Sequence, residues 1–271
     1  METTIKDRFA VVQDDYELEN WHVAAELLTE VLGLHAVTAK QQARNSRGFL
    51  ANDLPEEKAQ RLRDACAERG LGVHLVPQSD VIPVIKPVRM HRVWIADDAL
   101  WVRAGNLDAK TPLAWDALRL IAMTKTKVTE SFQHWETTGV DDEVRLKVTP
   151  YTEEVTDYLA DVFAFQPLGS VLGVRFMSRE LNYAEALGNL APDILVDANA
   201  RMEGFRLLLS AIASRATQAY VSPESAALLT TLPLKLVRST PPVKLNNFDA
   251  FNRWLLQRLR QGAQAAVGGL R

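Results

Sequence analysis

The side chains best suited to bind a metal in this chain are its histidines. They are His22, His35, His74, His91 and His134. None of them forms an H-x-H or H-E-x-x-H spacing, which would place two imidazoles on the same side of a strand or a helix. We therefore interpret the five as structural or surface residues, and we predict no metal site and no cofactor.

Paired carboxylates could also do chemistry, because two that converge can act as general acid and general base. The chain has four adjacent pairs, which are Asp14–Asp15, Asp97–Asp98, Asp141–Asp142 and Glu153–Glu154. Adjacent side chains on a strand point to opposite faces, and in a turn they face water. We interpret all four pairs as turn or helix-cap residues. The G-x-S-x-G, Walker and G-x-G-x-x-G motifs are absent from the sequence as well.

The single cysteine, Cys66, falls on a helical stripe of apolar residues with Ala59, Leu62 and Ala65. A cysteine nucleophile needs a polar, partly exposed niche and a neighbouring base. The stripe predicts instead that Cys66 is a buried core residue. One cysteine also excludes a disulfide within the chain and a cysteine-based zinc site.

The composition is that of a globular protein and excludes disorder as the main state. Hydrophobic residues make up 47% and charged residues 24% of the 271 residues, and the net charge is −3. No apolar run approaches the ~20 residues that a membrane-spanning helix needs. Residues 1–6 are polar and are not followed by the apolar stretch of a secretory signal. We therefore expect a cytoplasmic protein.

Residues 1–86 are predicted to alternate between strands and helices. The predicted order is strand, helix, strand, strand, helix, strand, at residues 8–13, 18–32, 35–40, 47–51, 53–70 and 71–76. Two split βαβ units of this order give a four-stranded antiparallel sheet with two helices on one face. The stretches from Gly48 to Ala59 and from Glu68 to Val73 resemble ferredoxin-like bacterial domains. That resemblance implies an α+β fold with the order βαββαβ and carries no ligand signature.

A proline-rich segment separates this first domain from the next. Pro77, Pro83 and Pro87 exclude a helix over residues 77–88 and favour an extended connector. The apolar pairs Val81–Ile82 and Val84–Ile85 predict that the connector lies against a domain. We place the boundary between residues 86 and 87.

Residues 87–216 change to the two-residue period of strands. A hairpin is predicted at His91–Ala104, and an amphipathic helix at Asn199–Arg215. The stretches Arg92–Val102 and Thr111–Ile121, with their tryptophans, resemble a bacterial pleckstrin-homology-like (PH-like) domain. The resemblance implies a bent antiparallel sheet or barrel closed by a C-terminal helix. The two domains together resemble bacterial proteins for which the likeness implies no activity.

Basic residues flank a stretch at 125–152 that departs from the PH-like pattern. They are Lys125, Lys127, Arg145 and Lys147. If the stretch folds as a hairpin, these four residues converge on one rim, where the resemblance implies binding of an anionic headgroup or a peptide. The alternative is a solvated face, because acidic residues lie in the same stretch. Those acidic residues are Glu130, Glu136, Asp141, Asp142 and Glu143.

Residues 217–271 are predicted to form a basic tail, with seven basic and two acidic residues. A final helix is expected to begin at Asn246 or Asn247. One face of that helix is apolar and consists of Phe248, Phe251, Leu255 and Leu259. Two interpretations stay open: the helix docks on its own protein, or the tail faces an anionic lipid or nucleic-acid surface.

Three functions are compatible with these observations. The first is a non-catalytic interaction or scaffold protein that binds a protein partner or itself through sheet edges. The alternative is peripheral binding to anionic membrane lipid or nucleic acid through the basic tail and the basic rim. The third is an enzyme of unrecognised type.

Overall fold

In the computed structural model the chain forms two compact units. The first unit comprises Met1–Lys86 together with Asn246–Arg271, and the second comprises Pro87–Leu245. The structure describes residues 8–105, 109–138, 145–187, 198–229 and 242–262. The predicted tail, 217–271, is divided between the two units: residues 217–245 belong to the second and residues 246–271 to the first.

The first unit has a mixed α+β fold around a three-stranded sheet. Its elements before the second unit are β1 (Arg8–Gln13), α1 (Trp21–Leu32), α2 (Ala36–Asn45), β2 (Phe49–Pro55), α3 (Glu56–Glu68) and β3 (Val73–Pro77). The sheet order is β2-β1-β3, and both neighbours run antiparallel to β1. The predicted order βαββαβ is therefore wrong.

The error lies in residues 35–40, which were predicted as a strand and form helix α2 instead. Ala39 and Ala43 are buried one helical turn apart, so this helix presents its small side chains to the core. The Nδ1 atom of His35 accepts a hydrogen bond from the Val37 N–H at 3.3 Å and caps the first turn. Local capping and small-residue packing thus outweigh the strand preference of Val37 and Thr38.

The second unit contains two sheets and several helices. Its elements are β4 (Val88–Met90), β5 (Arg92–Ile95), β6 (Ala99–Arg103), β7 (Thr111–Ala114), β8 (Leu118–Thr138), β9 (Arg145–Phe165), β10 (Val171–Met177), α4 (Tyr183–Leu187), α5 (Ala198–Arg215), β11 (Tyr220–Val221) and α6 (Pro223–Leu229). The sheets have the orders β5-β6-β7 and β11-β8-β9-β10-β4. The mixed α+β class is confirmed. Within the described residues the strands form two separate sheets and no closed barrel.

Both sheets of the second unit share one apolar core with helix α5. The predicted apolar face of this helix is buried throughout, at Met202, Phe205, Leu208, Leu209 and Ile212. It packs in one cluster with residues of both sheets, among them Val93, Leu100, Val102, Val162 and Phe176. Burial of such an apolar face adds several kcal/mol to the free energy of unfolding, at roughly 1.5–3 kcal/mol for each large side chain.

The final helix, α7 (Leu245–Arg260), packs on the first unit. Strand β1 reads Phe-Ala-Val-Val in its middle, and such an unbroken apolar run is typical of a strand buried on both faces. Val11 lies in the core formed with α1, α2 and α3. Ala10 and Val12 lie in a second cluster, against which Trp254 of α7 packs. Helix α7 therefore covers the second face of the sheet.

Polar side chains of α7 fix its position on the first unit. Trp254 donates its indole N–H to the carbonyl of Gln13 at 2.9 Å. The fully buried Gln257 accepts a hydrogen bond from the N–H of Ile82 at 2.7 Å, in the proline-rich segment. Val81 and Ile82 are buried, so this pair lies against the first unit as predicted, whereas Val84 of the second apolar pair is exposed.

Gly48 is the position at which the fit of α7 is tightest. Its φ is +75°, and a Cβ added there would overlap the ring of Trp254. We expect Gly48→Ala to destabilise the protein by about 2–4 kcal/mol, from the left-handed backbone and the overlap together. The change is measured by urea denaturation followed by far-UV circular dichroism.

Gly70→Ala is the matched control, because Gly70 has a φ of +73° and open space around an added Cβ. Gly70→Ala should lower the free energy of unfolding only by the cost of the left-handed backbone, about 1–2 kcal/mol. In a Trp254→Ala background, Gly48→Ala and Gly70→Ala should lower the free energy of unfolding by the same amount. An excess cost at Gly48 that persists without the indole would contradict this packing.

Candidate interaction site

Strands β8 and β9 run on as a two-stranded ribbon far beyond the rest of their sheet. Their pairing continues from Thr126 opposite Asp157 to Thr138 opposite Arg145. We call residues 127–138 and 145–156 the arm. At ~3.3 Å per residue the arm is roughly 40 Å long. Within the described residues no other strand pairs with it.

The arm is exposed on both faces, whereas the sheet below it is buried on both. Beyond Thr126 and Asp157, every described side chain of the arm is exposed except those of Val128 and Val155, which are half-buried. Below this point, side chains of both alternations are buried, for example Ile121 and Ala122. The change from buried to exposed therefore falls within about one residue on each strand.

A buried carboxylate and a buried hydroxyl anchor the root of the arm. Asp157 accepts hydrogen bonds from the Tyr158 N–H at 2.8 Å and from the hydroxyl of Ser178 in the segment after β10. Opposite it, Thr126 donates its hydroxyl to the carbonyl of Val243 at 3.1 Å. Burial raises the pKa of the Asp157 carboxyl, and these hydrogen bonds partly offset that effect.

The structure does not bring the four predicted basic residues to one rim. Lys125 and Lys127 lie at the root of the arm, while Arg145 and Lys147 pair with Thr138 and Glu136 at its far end. Lys127 and Glu136 are nine positions apart along β8, which is roughly 30 Å. The stretch does fold as a hairpin, but the hairpin holds the two pairs apart.

Lys127 is bonded within the arm. Its ammonium contacts a carboxylate oxygen of Glu154 on the neighbouring strand at 2.8 Å. This hydrogen bond raises the pKa of the Lys127 ammonium. Because both side chains are exposed, the pair contributes little to stability. The arrangement fits the solvated-face alternative at this end of the arm.

Sequence analysis missed a polar cluster that ties α7 to the first unit. Arg258 donates to the Asp14 carboxylate at 2.7 Å, and the Nδ1 atom of His74 lies 3.2 Å from the same oxygen. The Nε2 atom of His74 lies 2.7 Å from the side-chain oxygen of Gln261. Asp14 was predicted as a turn or helix-cap residue. The only signal in the sequence was the excess of basic over acidic residues near the C-terminus, which favours contact with carboxylates elsewhere in the chain.

A buried ion pair lies between β9 and β10. Arg175 donates two hydrogen bonds of 2.6 Å to the two carboxylate oxygens of Asp161, the residue directly opposite it. Such a buried fork-to-fork pair is costly to break, because the remaining charge would be left without compensation. The pair therefore fixes the register of the two strands from which β9 continues into the arm.

The ion pairs of Arg258 with Asp14 and of Arg175 with Asp161 each join one basic and one acidic side chain, which is not the arrangement of a metal site. Among the described residues, no three His, Cys, Asp or Glu side chains are placed together to hold a metal ion. No helix in the described ranges is long and apolar enough to cross a membrane. No family model matches the chain, and neither a curated protein nor a solved structure matches it.

The raised pKa of Asp157 predicts a pH dependence of stability. The protonated carboxyl is favoured in the folded state, so its contribution is present below the ordinary aspartate pKa of about 4 and is lost as the pH rises through the raised value. We expect Asp157→Asn, which cannot ionise, to gain free energy of unfolding relative to the native protein between about pH 4 and pH 7. Urea denaturation across this range measures the difference.

Asp98→Asn is the control for this pH series, because Asp98 is exposed in the turn between β5 and β6. A difference for Asp157→Asn that stays constant across the pH series would show that the buried carboxyl does not titrate as its surroundings require.

Burial also determines the reactivity of Cys66. The side chain is fully buried in the first-unit core, as predicted, and burial raises the pKa of its thiol to about 11. We expect almost no reaction with Ellman's reagent at pH 8 in the native protein and one thiol per chain in urea. Prompt native labelling at the rate of a free thiol would contradict the burial.

Proposed function

We propose that this protein is a non-catalytic interaction protein that uses the arm as its docking element. The observation that supports the proposal is the exposure of the arm on both faces along its described length. A sheet that ends where its core ends needs no such extension. A ribbon that extends well past its core offers its edges and faces to another chain.

Energetics support the same proposal. An isolated two-stranded ribbon is marginally stable in water, because it buries little apolar surface. Val148 and Tyr151 on β9 are 40% and 48% exposed, and Val128 and Val155 stay half-buried. Binding would bury these side chains and would pair backbone groups at the edges, to which no other described strand is hydrogen-bonded, as in strand addition.

The alternative, binding to anionic lipid or nucleic acid, has less support. Residues 127–156, which comprise the arm and the sequence between its two strands, have three basic and seven acidic residues, so this stretch would be repelled by a polyanion. In the final helix, Arg258 is bonded to Asp14 and Arg253 donates to the carbonyl of Ile82. These arginines serve the attachment of α7. The third possibility, an enzyme, is not supported by the ion pairs described above, because they bring no set of catalytic side chains together.

We also propose that the second unit is related in fold to PH-like domains. Two antiparallel meanders, β5-β6-β7 and β8-β9-β10, precede helix α5 and enclose one core with it. Several strands followed by one closing helix are what the resemblance of the Arg92–Val102 and Thr111–Ile121 stretches implies, and this likeness supports the proposal. The extended arm would be an addition to that plan.

Shortening the arm tests the proposed function. A variant that joins Val128 to Val155, which are register partners, through an Asn-Gly turn removes residues 129–154 and keeps the root. We expect the far-UV spectrum to retain the helices and the protein to lose its associations. Those are measured by light scattering for self-association and by affinity purification from the native cell for other proteins.

The matched control keeps the arm and changes only its charge at the root, as Lys127→Ala with Glu154→Ala. This pair is exposed and should leave both readouts unchanged. If the shortened variant keeps every association of the full chain, the arm is not the docking element.

A further inference from the structure

The sheet β5-β6-β7 has one face in the core and carries two tryptophans on the other. Val93, Leu100 and Val102 are fully buried in the core of the second unit. Because side chains alternate along a strand, the register partners Trp94 and Trp101 lie on the opposite face, where both are half-buried. The core formed by the described residues includes neither indole. Polar side chains are the rule on the outer face of such a sheet, so two indoles there indicate a contact surface.

Two cationic side chains lie over the Trp94 ring. The Nζ atom of Lys110 is 3.9 Å from the ring centroid, and the Cζ atom of Arg103 is 5.8 Å from it. Both distances are within the range of a cation–π interaction. Arg103 belongs to β6, whereas Lys110 directly precedes β7. One ring on β5 therefore holds two positive charges that come from the two other strands.

These two charges are not compensated by a carboxylate of any residue that the structure describes. Arg92, which lies opposite Arg103 in the register, is bonded to Glu185 at 2.9 Å. Arg103 and Lys110 form no ion pair within the described ranges, and their contacts there are those with Trp94. Like charges on neighbouring strands repel each other, so an acidic group bound beside them would be stabilised by both.

We propose that this face binds an acidic segment of another protein. We call it the indole face, and it consists of Trp94, Trp101, Arg103, Lys110 and Pro112. Carboxylates of the segment would contact the two cations, and its apolar side chains would contact Trp101 and the exposed Pro112 opposite it. Three strands at ~4.8 Å spacing make the face roughly 10 Å wide, which suits several residues of extended chain. The indole face lies outside the arm, and the inference does not depend on the arm.

The observations favour a protein segment over a nucleic acid. Lys110 covers a face of the Trp94 ring on which a base would otherwise stack. Two uncompensated charges are also few for a polyanion, since its affinity comes from many phosphate contacts. Tryptophan and arginine, in contrast, are among the side chains most enriched at the centres of protein–protein interfaces.

The direct test is titration of the full chain with a rhodamine-labelled peptide, Glu-Glu-Leu-Glu-Glu-Leu-Glu-Glu, followed by fluorescence anisotropy. We expect saturable binding at low salt that weakens as the salt concentration rises. The same peptide with Gln for Glu should bind about tenfold more weakly or worse, and equal binding would overturn the role of the charges. A labelled oligothymidine that binds more tightly than the Glu peptide would overturn the choice of a protein segment.

Charge-removing substitutions locate the binding. Arg103→Gln with Lys110→Gln should weaken the Glu peptide about tenfold or more, with an unchanged far-UV spectrum. Lys58→Gln with Arg61→Gln is the matched control, because it removes the same charge from two exposed positions of α3. The control should leave the affinity unchanged. Equal weakening by both double variants would show attraction to net charge alone and would overturn the site.

Trp101→Thr tests the apolar part of the indole face and keeps both cations. We expect the native chain to bind the Leu-containing peptide about fivefold more tightly than a version with Ser for Leu, and Trp101→Thr to remove this preference. A preference that persists without the indole would overturn its contact with the segment. Self-association of the native chain that disappears in Arg103→Gln with Lys110→Gln would assign the face to a second copy and overturn the choice of another protein.

Discussion

The constraint on which the first unit depends is that strand β1 must be covered on both faces. Its middle residues alternate between two cores, with Val11 on the side of α1, α2 and α3 and with Ala10 and Val12 on the other. The first 86 residues supply helices for one face. The second face is covered by α7, whose Trp254 lies against Gly48. The second unit is therefore an insertion between two parts of one domain.

In the second unit, the corresponding constraint is the length of β8 and β9. Their buried part belongs to the sheet that packs on α5, and there the ion pair of Asp161 with Arg175 sets the register of β9 against β10. At Thr126 and Asp157 the burial ends while the ladder continues. Where two paired strands continue beyond the core, the backbone N–H and C=O groups at their outer edges can be paired as in a sheet only by another strand.

Sequence periodicity predicted the helices that bury one face. It failed where the surrounding structure determines whether a segment forms a strand or a helix. Helix α5 and its apolar face follow from Met202 to Ile212 alone, and the final helix begins close to the predicted Asn246. Residues 35–40 were assigned to a strand because Val37 and Thr38 favour one, although the His35 cap and the two alanines decide for helix. Residues 125–152 depart from the PH-like pattern because they are too long for a hairpin loop. The sequence does not predict that they form an arm, because nothing in one sequence shows where a core ends.

The return of α7 to the first unit links the two units in the order of folding. Strands β1 to β3 and helices α1 to α3 are synthesised first, but the face of β1 that holds Ala10 and Val12 stays uncovered until the last helix is made. Closing a long unstructured loop costs entropy, and a folded insertion shortens that loop to the distance between its ends. The second unit, once folded, therefore holds its two ends at a fixed separation, which lowers the entropy cost of bringing α7 back to complete the core of the first unit.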